Sequence, residues 1–123
     1  MKSKVLVPLA LGGFLLALAP AAQAEVLRVV VVKASDPAAY VSEINRGRPI
    51  MKKAGSPGTI RVWQAKYAGV ETGTIVVSIE YPDLAALAQD AGRMTTDADV
   101  RTWLAGLDKV RTVVSDSIYN EMK

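Results

Sequence analysis

Thr59-Ile60-Arg61-Val62-Trp63-Gln64-Ala65-Lys66-Tyr67, then Ala68-Gly69-Val70-Glu71-Thr72-Gly73, then Thr74-Ile75-Val76-Val77-Ser78-Ile79-Glu80-Tyr81, is the stretch whose reading decides the fold. Two runs rich in β-branched and aromatic residues flank a turn that carries two glycines, which predicts an antiparallel hairpin. Upstream, Gly55-Ser56-Pro57-Gly58 reads as a loop. Before it, Ser35-Asp36-Pro37 starts a helix, with Asp36 as N-cap and Pro37 at the first helical position. Tyr40, Val41, Ile44 and Met51 recur at helical spacing, while Gly47 and Pro49 predict a kink or break. Val26 to Val32 is a continuous aliphatic run with one arginine, and reads as a strand buried on both faces.

Downstream, Pro82-Asp83 ends the hairpin and opens a helix over Leu84, Leu87, Ala88 and Ala91. Thr96 or Asp97 caps a further helical stretch that places Val100, Trp103, Leu104 and Leu107 on one core-packing face. Arg111 to Glu121 reads as the last strand. The order is β-α-β-β-α-β, a ferredoxin-like α+β arrangement. It predicts a four-stranded antiparallel sheet with both helices on one face.

The opposite sheet face must meet water, a ligand or another subunit. Period-2 alternation separates aliphatic sets from mixed sets. Leu27, Val29 and Val31, with Ile60, Val62, Ile75, Val77 and Ile79, suit the helix-covered core. Arg28, Val30, Arg61, Trp63, Val76, Ser78 and Glu80 suit the far face, together with Val26 and Val32. So apolar a surface usually marks an interface, and it predicts a homodimer formed sheet to sheet.

The chain has 123 residues and a net charge of +3, but Lys2 and Lys4 supply two of those charges. Without them 13 cations face 12 anions, so the basic balance does not argue for nucleic acid as a partner. Residues 44–70 hold six cations and no acid, four of them (Arg46, Arg48, Lys52, Lys53) around the end of the first helix, where they complement its dipole. An anionic ligand or envelope surface is the other reading of that cluster.

Lys2 and Lys4 precede an uncharged run from Val5 to Ala19, and Ala22-Gln23-Ala24 follows as a small-x-small site. This three-part pattern is that of a secretory signal peptide. It predicts cleavage before Glu25, a periplasmic or secreted bacterial protein, and no stable membrane anchor afterwards. Residues 1–24 are thus an address, and residues 25–123 suit one domain.

Cys and His are both absent. Disulfides, His-ligated haem, the usual zinc sites, and Ser-His or Cys-His nucleophilic pairs go with them. Asp97, Asp99 and Asp108 are too scattered for a calcium loop. No metal and no cofactor is expected.

The hairpin from Trp63 to Tyr81, the helix after it, and the ending Ser115-Asp116-Ser117-Ile118-Tyr119 resemble the dimeric α+β barrel superfamily, in its NIPSNAP-like and antibiotic-biosynthesis-monooxygenase-like branches. The resemblance covers nearly all of residues 25–123 and rests on a strand aromatic, a glycine turn and a glutamate. It implies a sheet-to-sheet dimer. The superfamily includes cofactor-independent monooxygenases, haem-degrading enzymes and members with no known reaction. The histidine typical of the haem-degrading members has no counterpart here.

On the expected far face Trp63 forms an aromatic wall, Arg28 and Arg61 accept an acidic group, Glu80 is the candidate base, and Ser78 and Tyr119 add hydroxyls. The competing reading makes Trp63 an interface anchor and Arg61-Glu80 a cross-strand pair. Three functions follow: a dimer binding a small apolar or aromatic molecule between its sheets, a cofactor-independent monooxygenase, or a structural protein without a pocket.

Overall fold

A computed structural model describes residues 25–123. The expected signal peptide lies outside these residues. The elements are β1 (Val26–Lys33), α1 (Pro37–Lys53), β2 (Thr59–Gln64), β3 (Ile75–Tyr81), α2 (Leu84–Thr96), α3 (Ala98–Asp108) and β4 (Thr112–Asn120), with a short 3-10 turn at Gly69–Glu71. The sheet order is β2-β3-β1-β4, and every neighbouring pair is antiparallel. This is the ferredoxin-like α+β fold expected from the element order, with the second helical region divided in two.

Three aspartates start the helices. Asp36, Asp83 and Asp97 each accept a hydrogen bond from a backbone N–H in the first turn, satisfying a donor that the helix itself cannot. Asp97 also ends α2, so α2 and α3 meet without a loop.

In the helix α1 the expected break does not occur. The helix runs unbroken through Gly47 and Pro49. Gly47 is buried, and a Cβ there would lie 1.9 Å from Cε2 of Trp103. The glycine thus admits the indole of α3 against the α1 backbone, where Trp103 Nε1 donates to the Glu43 carbonyl at 2.9 Å. Pro49 lies in the last half of a 17-residue helix whose other contacts hold it together.

The strand β1 also departs from expectation. Its register sets Val26 opposite Tyr81, Arg28 opposite Ile79, Val30 opposite Val77 and Val32 opposite Ile75. Directly paired residues share a face. Val26, Arg28, Val30 and Val32 therefore face the helices, and Leu27, Val29 and Val31 lie on the far side. The sequence-based assignment of this strand was inverted, whereas those of β2 and β3 hold. The core consists of Val26, Val30 and Val32 with Ile75, Val77, Ile79 and Tyr81 from the sheet, against Tyr40, Ile44, Met51, Leu87, Val100, Trp103 and Leu107. A bulge between Val31 and Val32 in the β1–β4 ladder pairs Val32 with Val113, bringing Val113 to the helix side.

Candidate functional site

A cavity of about 100 Å³ lies between the helix-covered face of the sheet and the helices. Its walls are mostly apolar, with Ile44 and Met51 from α1, Val77 and Ile79 from β3, and Trp103 and Leu107 from α3. Polar side chains interrupt this lining at two main places, each built by a different part of the chain, with Arg111 as a further charged group.

At one, Asp90 of α2 is fully buried. Its Oδ2 accepts the Tyr81 hydroxyl at 2.5 Å and the Ser56 hydroxyl at 2.8 Å, while Oδ1 receives only a long contact of 3.4 Å from Arg93 Nη1. Ser56 reaches it because the chain turns sharply after α1 at Gly55, whose φ of +91° suits a glycine. Burial pushes the Tyr81 hydroxyl well above its ordinary pKa, and donation to Asp90 adds to the effect.

At the other, Arg28 of β1 meets Asp116 of β4. Nε donates to Oδ1 at 2.9 Å and Nη2 to Oδ2 at 2.6 Å, a two-pronged pair, and Nη1 points at Met94 Sδ at 3.5 Å. The paired hydrogen bond raises the Arg28 pKa and holds the Asp116 carboxyl below the usual carboxylate range. Both side chains are part-exposed, so this pair stands where the cavity opens. Arg111, also in the lining, is held by Asp108 and the Tyr40 hydroxyl.

The sequence-derived site residues divide between the two faces. Arg61, Trp63, Ser78 and Glu80 do meet on the far face: Arg61 Nε donates to Glu80 Oε2 at 2.5 Å, and Trp63 Nε1 donates to Ser78 Oγ at 2.8 Å. Tyr119 shares that face, but Leu27 stands between it and Glu80, since Leu27 pairs with both. Arg28 is a correction: it lies on the opposite face, in the helix-side cavity, because β1 presents its even-numbered residues there. Asp90, Ser56, Tyr81 and Asp116 were not singled out from sequence. An aspartate at 90 within the otherwise apolar Leu84, Leu87, Ala91 stripe was the signal that could have found the first of them.

The far face keeps the expected apolar character with different members. Leu27, Val29, Val31 and Val76 are half-buried there, and Trp63 is 53% exposed. Among the described residues no group of three His, Cys, Asp or Glu side chains is arranged to hold a metal ion, and no helix is long and apolar enough to cross a membrane.

No family model matches the chain, and no curated protein sequence does. Solved structures do. SnoaB, a cofactor-independent oxygenase from Streptomyces nogalater, is 14% identical with a TM-score of 0.56, covering 82% of this chain and 96% of its own. A dimeric ferredoxin-like protein from an uncultured marine organism is 16% identical with a TM-score of 0.57, covering 82% of this chain and 98% of its own. At such identities the likeness establishes the ferredoxin-like fold.

Proposed function

We propose that the chain is an exported, homodimeric binding protein for a small, largely apolar molecule, with a single ring as the natural size, held in the helix-side cavity. The observation that carries this is an apolar cavity interrupted by a few positioned polar groups, the usual make-up of a small-molecule site. Its volume of about 100 Å³ lies below the ~300–1,000 Å³ of drug-sized sites, which favours a single ring over a fused polycycle. The ligand position thus moves from the inter-sheet space expected from sequence to the space under the helices. Export is supported by the Lys2 to Ala24 pattern. Dimerisation is supported by the apolar far face and by the dimeric state of a protein of the same fold. On this reading Trp63 with Ser78, and Arg61 with Glu80, are interface groups, not ligand-binding or catalytic ones.

Trp103 lines the cavity and reports on it. In a Trp63→Phe background, benzyl alcohol is expected to shift Trp103 fluorescence saturably. Leu104→Trp, which fills the wall from a half-buried position, is expected to abolish the binding seen by calorimetry. Absence of saturable binding by a panel of single-ring compounds refutes the reading.

A second reading, a cofactor-independent monooxygenase using the same cavity, draws support from the fold shared with SnoaB. It places the buried Asp90-Tyr81 pair beside the ligand, where it could hold or accept a proton. An oxygen electrode with an electron-rich dihydroxybenzene tests it: uptake no faster than without protein removes this reading.

A further inference from the structure

We propose that Asp116 sets the charge selectivity of the helix-side cavity: by occupying the guanidinium fork of Arg28 it keeps carboxylates out and reserves the site for neutral ligands. This rests on the cavity being a ligand site.

The lining holds two cations, Arg28 and Arg111, and two carboxylates, Asp90 and Asp116, so its formal charge is zero. Each is already engaged. Arg111 is tied to Asp108 and Tyr40, and Asp90 accepts from Tyr81, Ser56 and Arg93. Arg28 presents Nε and Nη2 to both oxygens of one carboxylate, whereas Arg111 turns the same two nitrogens on the single Oδ1 of Asp108. That geometry is the one an arginine offers to a ligand carboxylate. Asp116 is thus a built-in stand-in for such a ligand, delivered by β4 from the position paired with Val30, two residues along from Arg28 on the same face.

Two consequences follow from this placement. An entering carboxylate finds the Nε–Nη2 edge of the fork filled, and meets two like charges, the part-exposed Asp116 and the fully buried Asp90, of which the buried one is the less screened. A neutral ring meets no such barrier, because it leaves every charge with the partner it has. Specificity of this kind is set by a repulsive element as much as by an attractive one. Met94 reinforces the arrangement, since its sulfur contacts the remaining Nη1 and helps hold the guanidinium in place.

Removing the Asp116 charge frees the fork. The selectivity then shifts toward carboxylates, and Arg28 becomes a receptor for the carboxylate of a ring that sits in the apolar part of the cavity.

The test compares benzyl alcohol with benzoate, matched in ring and differing in charge, by calorimetry on wild type, Asp116→Asn and Asp116→Ser. Wild type is expected to bind benzyl alcohol and to bind benzoate at least about tenfold more weakly. Either variant is expected to shift the benzoate-to-benzyl-alcohol affinity ratio by at least about tenfold toward benzoate. Adding Arg28→Met to the variant is expected to erase that gain. Equal binding of the two probes by wild type, or an unchanged ratio in a folded variant, overturns the proposal while leaving the cavity a ligand site. If neither probe binds any form of the protein, the cavity reading fails and this proposal fails with it. Equal binding of the two probes by wild type overturns the proposal even if neither variant folds.

Discussion

Tyr81 ends β3 and places its hydroxyl on a carboxylate that no solvent reaches. A buried carboxylate is tolerated only when its lone pairs are satisfied, and here Tyr81 and Ser56 do most of that work. Tyr81→Phe removes one donor and keeps the ring. It is expected to destabilise the protein by about 2 kcal/mol at neutral pH in urea unfolding, the range for a hydrogen bond to a charged group. The pH dependence has a definite sign. Because the folded-state pKa of Tyr81 is raised above its ordinary value of 10.0, the folded protein keeps a proton that the unfolded chain releases. This contribution is complete below pH 10 and is lost as the pH rises beyond it, with a slope of up to about 1.4 kcal/mol per pH unit. The alkaline limb of the stability profile is expected to be shallower in Tyr81→Phe than in wild type. Asp116 works in the opposite direction. Its folded pKa lies below the ordinary 3.8, so its contribution is present above that value and fades as the pH falls further. Asp116→Asn is expected to flatten the acid limb below about pH 4, only modestly because the side chain is part-exposed.

At the scale of elements, α1 and α3 pack through one glycine and one tryptophan. Gly47→Ala puts a methyl group where the Trp103 ring already lies, and the obstacle is a buried ring between two helices. The expected cost is about 2–3 kcal/mol, read as a lower Tm, with Trp103 fluorescence shifted because the indole must move. The same pair shows what could be read from the chain in advance. Gly47 and Pro49 carried every local mark of a helix breaker, and only the indole arriving from α3, far away in sequence, explains why a glycine sits inside a continuous helix. The hairpin was legible because its strands alternate and its turn has glycines. The three helix starts were legible because Asp36, Asp83 and Asp97 precede the apolar periodicity. The faces of β1 were not. In Val26 to Val32 only Arg28 breaks the aliphatic run, and the alternation rule sent it toward water. Asp116, 88 residues away, is what allows that arginine to face the helices. The cavity was missed for the same reason: its polar groups come from β1, the loop after α1, α2, the turn before β4 and β4 itself, and no spacing along the chain announces their meeting.

For the whole molecule the far face of the sheet is the feature that needs a partner. Leu27, Val29, Val31 and Val76 form an aliphatic floor across two strands that pair directly, and Trp63 stands beside it on the edge strand β2. The indole is not free to fold away, because its Nε1–H is fixed on Ser78. A rigid, half-exposed tryptophan over an aliphatic floor has the character of an interface anchor, whereas the neighbouring Arg61-Glu80 pair, with Arg61 well exposed, has that of a polar rim. A second copy offers the same surface, so one symmetric contact covers both. The expected outcome is a homodimer in sedimentation equilibrium. Trp63→Ala is expected to raise its dissociation constant by about thirtyfold or more, the equivalent of roughly 2 kcal/mol for a large aromatic anchor. Arg61→Ala is expected to change it by less than about fivefold, as rim charges do. Lys52→Ala, on the exposed end of α1, is expected to leave it unchanged. Because the helix-side cavity lies on the other side of the sheet, Trp63→Ala is also expected to leave benzyl alcohol binding intact in the monomer. Loss of ligand binding together with the dimer would instead place the site between the two sheets, and a monomer at high micromolar concentration in wild type would remove the interface itself.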